Sequence, residues 1–289
     1  MTAMAKSGAF HRLTRRRWLA AVLSPCASAF AEMERRPLDI VVEPNGFGDA
    51  TPADIAAVTR SAGEEIFRHC PSTRFRPGIR IRYNPQFPIT HFDHSVDGRI
   101  VIGLNVRDTH WAQFAYQFGH EFGHALMDHS NDWTRLWHET RHANQWFAES
   151  LCETASLFCL RAMARTWETN APYPNWKSFA PFLASYAQDR IHEPAHQLPK
   201  GTDFAAWFKE TEPAQRLGWT RERNTVIARQ LLPLFEGEPT GWDALASLHL
   251  CRRDKQMPLA DFLSDWHRNS PENRRPFVKK VAAVFAVKV

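Results

Sequence analysis

Two histidines four residues apart, His120 and His124, bracket Glu121 in the run Tyr116-Gln-Phe-Gly-His120-Glu121-Phe122-Gly123-His124-Ala-Leu-Met127. Residues i and i+4 stand one above the other on a helix, so two imidazoles at this spacing can share one tetrahedral metal ion while Glu121 reaches a water on it. The H-E-x-x-H pattern is the signature of zinc hydrolases. It is short, and the chain holds a second match at His138-Glu139-Thr140-Arg141-His142. The first copy has uncharged inner residues, Phe122 and Gly123, and an apolar stripe of Phe114, Phe118 and Leu126 to bury its helix. In the second, Arg141 would repel a metal, and Thr134, Arg135 and Asn144 nearby read as a polar connection. The first copy is therefore the expected site.

A metal needs a further protein ligand, and the stretch from Gln145 to Leu160 supplies two candidates. It reads as a helix apolar almost all round, hence buried, yet carries Glu149 and Glu153 four apart. A buried, unpaired carboxylate costs several kcal/mol or protonates, so this pair asks for a cation. Zinc (Zn2+) meets that demand. We read Glu149, 25 residues after His124, as the third ligand, and Glu153 as an outer acceptor for the free ring N–H of a ligating histidine, or as the substitute ligand.

Over roughly residues 79 to 162 these residues resemble the gluzincin group of zincin metallopeptidases, in which H-E-x-x-H on one helix is completed by a glutamate on the next. Glu149-x-x-x-Glu153 looks like a variant of the E-x-x-x-D pattern of that group, whereas its N-E-G-F-A form would align Gln145 with the ligand position. The metzincin variant does not fit: its third histidine would fall at Ser130 and its glycine at Met127, with His129 out of register. The resemblance implies a small mixed sheet with metal-binding helices, a water made acidic by zinc, and Glu121 as the general base that passes a proton to the leaving amine. It also implies an oxyanion donor farther along the chain, for which Tyr173, Tyr186, His192, His196, His249 and His267 are available.

Residues 1–31 carry Lys6, Arg12, Arg15, Arg16 and Arg17, no acidic residue, and then an apolar run ending in Ala29-Phe-Ala31. This reads as a signal peptide with an A-x-A cleavage site, and Thr14-Arg15-Arg16-Arg17-Trp18-Leu19 resembles the twin-arginine export motif. The apolar run, interrupted by Pro25, is too short for a membrane span. A periplasmic or secreted protein without a stable span after cleavage is expected. The whole chain has 36 basic and 31 acidic residues; the leader holds five of the basic ones, so the remainder balances and gives no support to nucleic-acid binding.

After the leader, Cys70, Cys152, Cys159 and Cys251 remain in a compartment that permits disulfides. Cys152 and Cys159 lie seven apart on one presumed helix, ~10 Å along its axis, too far to bridge each other. A strand is expected at Leu38–Glu43, a helix capped by Thr51 running to about His69, and strands near Ile79–Tyr83 and Arg99–Val106 around an Asp97-Gly98 turn. An edge strand somewhere between 86 and 106 should be open to an extended peptide, with His91 and His94 in a loop. Beyond about 170 the chain reads as helices with joints at Pro172, Pro174, Pro194, Pro199, Pro213, Pro233, Pro239, Pro258, Pro271 and Pro276, and with helix starts at Thr240 and Ser270. Trp176, Trp207, Trp219, Trp242 and Trp266 fall at apolar positions there, as packing or as a sugar-stacking surface.

The expected fold is α+β: a zincin-like core over 32–168 and a helical C-terminal subdomain over 169–289. The expected activity is zinc-dependent hydrolysis of a peptide or protein substrate. The alternatives are a non-catalytic zinc-binding envelope protein and a cell-wall amide hydrolase.

Overall fold

Isoleucine-rich strands and one well-capped helix build the layer on which the histidine helix rests. The computed structural model describes residues 37–71, 78–128 and 142–289. The expected leader and the segment resembling an export motif, His129, Ser130 and residues 138–141 of the second H-E-x-x-H copy lie outside the described residues. Strands β1 (Ile40–Val42), β2 (Ile79–Tyr83), β3 (Ile89–His94) and β4 (Ile100–Leu104) form one sheet in the order β1-β2-β4-β3. β1, β2 and β4 are parallel, and β3 pairs antiparallel with β4 at the edge. β2 alternates, with Ile79 and Ile81 buried, whereas every position of β4 is buried, as suits a strand covered on both faces.

His91 and His94 are not in a loop but on β3, with a register shift between them. The run Thr90-His-Phe-Asp-His lacks the alternation of a self-evident strand; its pairing with β4 supplies what local pattern does not. Helix α1 (Pro52–Phe67) starts as expected, the Thr51 hydroxyl accepting the Asp54 N–H at 3.1 Å and Pro52 filling the first turn. Ile55, Val58, Ala62 and Ile66 form its buried stripe.

Helices α2 (Trp111–Asp128) and α3 (Gln145–Asn170) form the central pair. Their contact is built from small residues. A Cβ added to Gly119 would stand 3.2 Å from Ser156 Cα and Cys159 Sγ, and one on Gly123 would stand 3.0 Å from Cys152 Sγ and 3.3 Å from Cys152 Cα. With glycine at these two positions the helix backbones approach closely, and this brings side chains of α3 within reach of the histidines of α2.

Beyond α3 come α4 (Ala180–His192), α5 (Phe204–Leu217), α6 (Arg221–Gly237), a 3-10 segment at Pro239–Leu250, α7 (Leu259–Asn269) and α8 (Arg275–Val284). The expected boundary at 168/169 falls in the last turn of α3, and both α4 and α6 pack on α3, so residues 37–289 share one compact unit. Pro213 and Pro233 sit inside α5 and α6 rather than at joints, and each leaves the carbonyl four residues before it without its usual helix donor. The start expected at Thr240 is a 3-10 helix, opened by Pro239. Trp207, Trp242 and Trp266 are buried, which removes them from any stacking surface. Cys70, Cys152, Cys159 and Cys251 are each buried. Among the described residues no helix is long and apolar enough to cross a membrane.

Candidate metal and catalytic site

One turn apart on α2, His120 and His124 turn their rings to one side, with centroids 5.2 Å apart. Glu149 of α3 meets both: its Oε2 is 3.3 Å from His120 Nε2 and its Oε1 3.6 Å from His124 Nε2. Glu153, one turn farther along α3, meets only the other nitrogen of His120, with Oε2 3.6 Å from Nδ1. The three side chains at the outer position retain 17, 19 and 12% exposure (His120, His124, Glu149), against 1% for Glu153. Two imidazole nitrogens and one carboxylate thus converge at an accessible point, and the second carboxylate backs them from within the protein.

Glu153 is held from three sides. The Tyr116 hydroxyl, from α2, donates to Oε1, as does the Thr225 hydroxyl, from α6, at 3.1 Å. Arg221 Nε lies 4.0 Å from Oε2, with its guanidinium 5.3 Å from the centre of the Tyr116 ring. Glu153 Oε2 and His120 Nδ1 are both buried without a hydrogen bond, yet face each other. This is the arrangement in which a carboxylate keeps the proton of a neutral imidazole on Nδ1 and leaves Nε2 free to ligate.

Without a metal, the same carboxylates favour the protonated, charged imidazoles. Burial opposes the charged form of His120, but the Glu149 and Glu153 carboxylates outweigh it and hold the ring's pKa up at about 10. Burial likewise opposes a charge on His124, and Glu149 overcomes it, raising the pKa. Burial would push the Glu149 and Glu153 carboxyls up; instead the two imidazoles hold Glu149 below the usual range, and His120, Arg221 and Tyr116 do so for Glu153. Burial and the Glu153 charge keep Tyr116 a protonated donor. Carboxylates that draw positive charge onto two neighbouring histidines are a donor set suited to a divalent cation.

Cys152 Sγ also lies within 4.8 Å of a ring nitrogen of each histidine. Of the two possible third ligands, Glu149 fits better. It offers one oxygen to each Nε2 at an accessible position, whereas Cys152 is fully buried against Gly123 in the helix contact. Gln145, the alternative alignment, lines the same cavity.

Glu121, buried, points toward the sheet. Its Oε2 accepts from the Thr90 hydroxyl of β3 at 2.9 Å. The residues open into a cavity of about 540 Å³ lined by Glu121, His120, His124 and Glu149, with Phe87 and Trp219, each about half exposed, at its apolar edge. Arg221, Asn224 and Arg253 line it from the C-terminal part, so the wall opposite the sheet comes from residues far along the chain.

None of the six nominated donors, Tyr173, Tyr186, His192, His196, His249 or His267, is among the residues lining this cavity. Tyr186 packs edge-on against Tyr116 at 5.8 Å, and His196 Nδ1 meets the Arg190 carbonyl oxygen at 2.6 Å. His142, the final residue of the second H-E-x-x-H copy, does line it, held neutral by burial and Arg253, which lower its pKa to about 4. Sequence reasoning also missed Thr90, Tyr116, Thr225 and Arg221, because a hydroxyl or guanidinium becomes part of the site only through packing. The Gly119-x-x-x-Gly123 spacing opposite Cys152, Ala155, Ser156 and Cys159 was a legible signal of close helix contact.

The chain matches no protein-family model, no curated protein and no solved structure.

Proposed function

We propose that the chain is a zinc-dependent metallopeptidase with a zincin-like core, in which His120, His124 and Glu149 hold the metal, Glu153 orients His120, and Glu121 is the general base. Bound there, zinc supplies Lewis-acid polarisation of a carbonyl and makes a water acidic enough to be deprotonated near neutral pH. The carboxylate of Glu121, in the same cavity as the ligand set, is within the walls where it can take that proton and return it to a leaving amine. Glu153 keeps the Nδ1 proton of His120 in place. The edge strand β3 borders the cavity through Ile89 and Thr90 and offers an extended substrate a strand to pair with. Arg221 and His142 reach the same space and are the side chains from which oxyanion stabilisation can come. The arginine-rich leader supports action outside the cytoplasm, in the periplasm or medium.

The observation that carries this reading is Glu121 beside an accessible His-His-Glu set: a purely structural metal site has no use for a carboxylate there. A non-catalytic envelope protein acting through its tryptophans is weakened by the burial of three of the five in the C-terminal part, Trp207, Trp242 and Trp266. The test is zinc content and casein hydrolysis of the purified chain beside Glu121→Gln. About one zinc per chain, with turnover lost and metal kept in the variant, supports the peptidase. Equal turnover in both refutes the role of Glu121, and a chain that takes up no zinc refutes the metal site.

A further inference from the structure

The Thr90 hydroxyl touches Glu121 twice. It lies 2.9 Å from the carboxylate Oε2 and 2.7 Å from the main-chain oxygen of the same residue. Both residues are 3% exposed, and Thr90 reaches α2 from the edge strand β3, where it pairs with Ile102 of β4. A buried threonine with a merely structural role needs one acceptor, and the helix carbonyl alone would satisfy it. The second contact does something more. A glutamate has three rotatable bonds, and ordering it costs conformational entropy. A hydroxyl anchored to the main chain of α2 and touching the carboxylate fixes where that carboxylate lies relative to His120, the preceding residue.

We propose that Thr90 is the positioning residue of Glu121: its hydroxyl ties the carboxylate to the edge strand, so that the strand bordering the cavity and the base acting in it are held as one unit. This rests on the reading of Glu121 as general base, but its central claim, the placement of the carboxylate, is measurable without turnover. With one proton for two acceptors, the hydroxyl turns about its own bond to serve either oxygen, and neither side chain has to move. Thr90→Val keeps the branched shape of the buried strand residue and removes the hydroxyl; Thr90→Ser keeps the hydroxyl.

The experiment compares the zinc-loaded wild-type chain, Thr90→Val and Thr90→Ser by crystal structure, zinc content, and kcat and KM on casein-derived peptides. Thr90→Ala, which also lacks the hydroxyl, is measured alongside in case the valine variant does not fold. The expected result in the hydroxyl-free variants is unchanged zinc, a Glu121 carboxylate displaced or spread over several rotamers, and kcat lower by about 10- to 100-fold at nearly constant KM. Thr90→Ser should restore both the position and the rate. A carboxylate that stays in place without the hydroxyl overturns the proposal, as does wild-type kcat in Thr90→Val. Should the wild-type chain show no turnover, the peptidase reading fails, and the crystal structures alone decide: displacement upholds the tether and an unmoved carboxylate refutes it.

Discussion

Replacing Glu149 and Glu153 by glutamine, one at a time, separates a ligand from the group behind it, because the two carboxylates contact different nitrogens. Glu149 brings an oxygen to Nε2 of each histidine at 3.3 and 3.6 Å, so Glu149→Gln removes the anionic member of the ligand set. Structural zinc sites bind with about 10–16 kcal/mol, and one ligand in three carries on the order of 3–5 kcal/mol of this, about 150- to 5,000-fold in affinity. Of the four imidazole nitrogens, Glu153 meets only His120 Nδ1, at 3.6 Å. In Glu153→Gln the amide carbonyl can still accept from Tyr116 and Thr225, which leaves the NH2 facing the Nδ1 proton. Donor then meets donor, and His120 relieves this by moving its proton to Nε2, the ligating atom. Losses from such outer partners run to about 10- to 100-fold, or ~1.4–2.7 kcal/mol. Competition with a chromophoric zinc chelator measures both variants on one scale. A larger loss in Glu153→Gln than in Glu149→Gln would make Glu153 the ligand, and wild-type affinity in both would refute the donor set.

Two further outcomes follow from the same contacts. Gly123→Ala places a Cβ 3.0 Å from Cys152 Sγ and 3.3 Å from its Cα, so Cys152 must give by a few tenths of an ångström; against the ~1 kcal/mol that alanine gains in a helix interior, a net loss of up to about 2 kcal/mol is expected in chemical denaturation, and a net gain would refute the close contact. In the metal-free chain, the His120 pKa raised from 6.5 to about 10 gives stability that is fully present below 6.5 and lost as pH rises through 10; the depressed Glu149 gives stability present above 4.5 and lost as pH falls through its folded value. Zinc must displace those histidine protons, so its gain in melting temperature should be larger at pH 8 than at pH 6. An equal gain at both would mean that these histidines are not the ligands.

Local pattern carried much of the half of the molecule that holds the candidate site. The His120-Glu121-His124 spacing is a statement about one helix turn, which an apolar stripe of residues such as Phe114 and Phe118 makes and buries, and α2 runs from Trp111 to Asp128. Glu149 and Glu153 drew attention because charge in an apolar run is costly, and α3 places both beside His120. Thr51 with Pro52, and the isoleucines of β2 and β4, are likewise local signals, and their elements stand where they were expected. β3 failed the same test, since its hydrogen bonds come from β4 rather than from any preference of Thr90 to His94.

What the sequence by itself determined is therefore the identity of the reactive groups and their spacing along helices, because helix geometry ties i to i+4 without help from the rest of the chain. Which carboxylate faces which nitrogen was decided by the tertiary structure: Gly119 and Gly123 set how closely α3 approaches α2, and that approach turns Glu149 outward and Glu153 inward. The same holds for Thr90, Thr225 and Arg221, which lie 31, 72 and 68 residues from the side chains they serve. A hydroxyl or guanidinium at such separations is common on any surface, and it becomes part of a site only where packing excludes water and brings it against the side chain it serves.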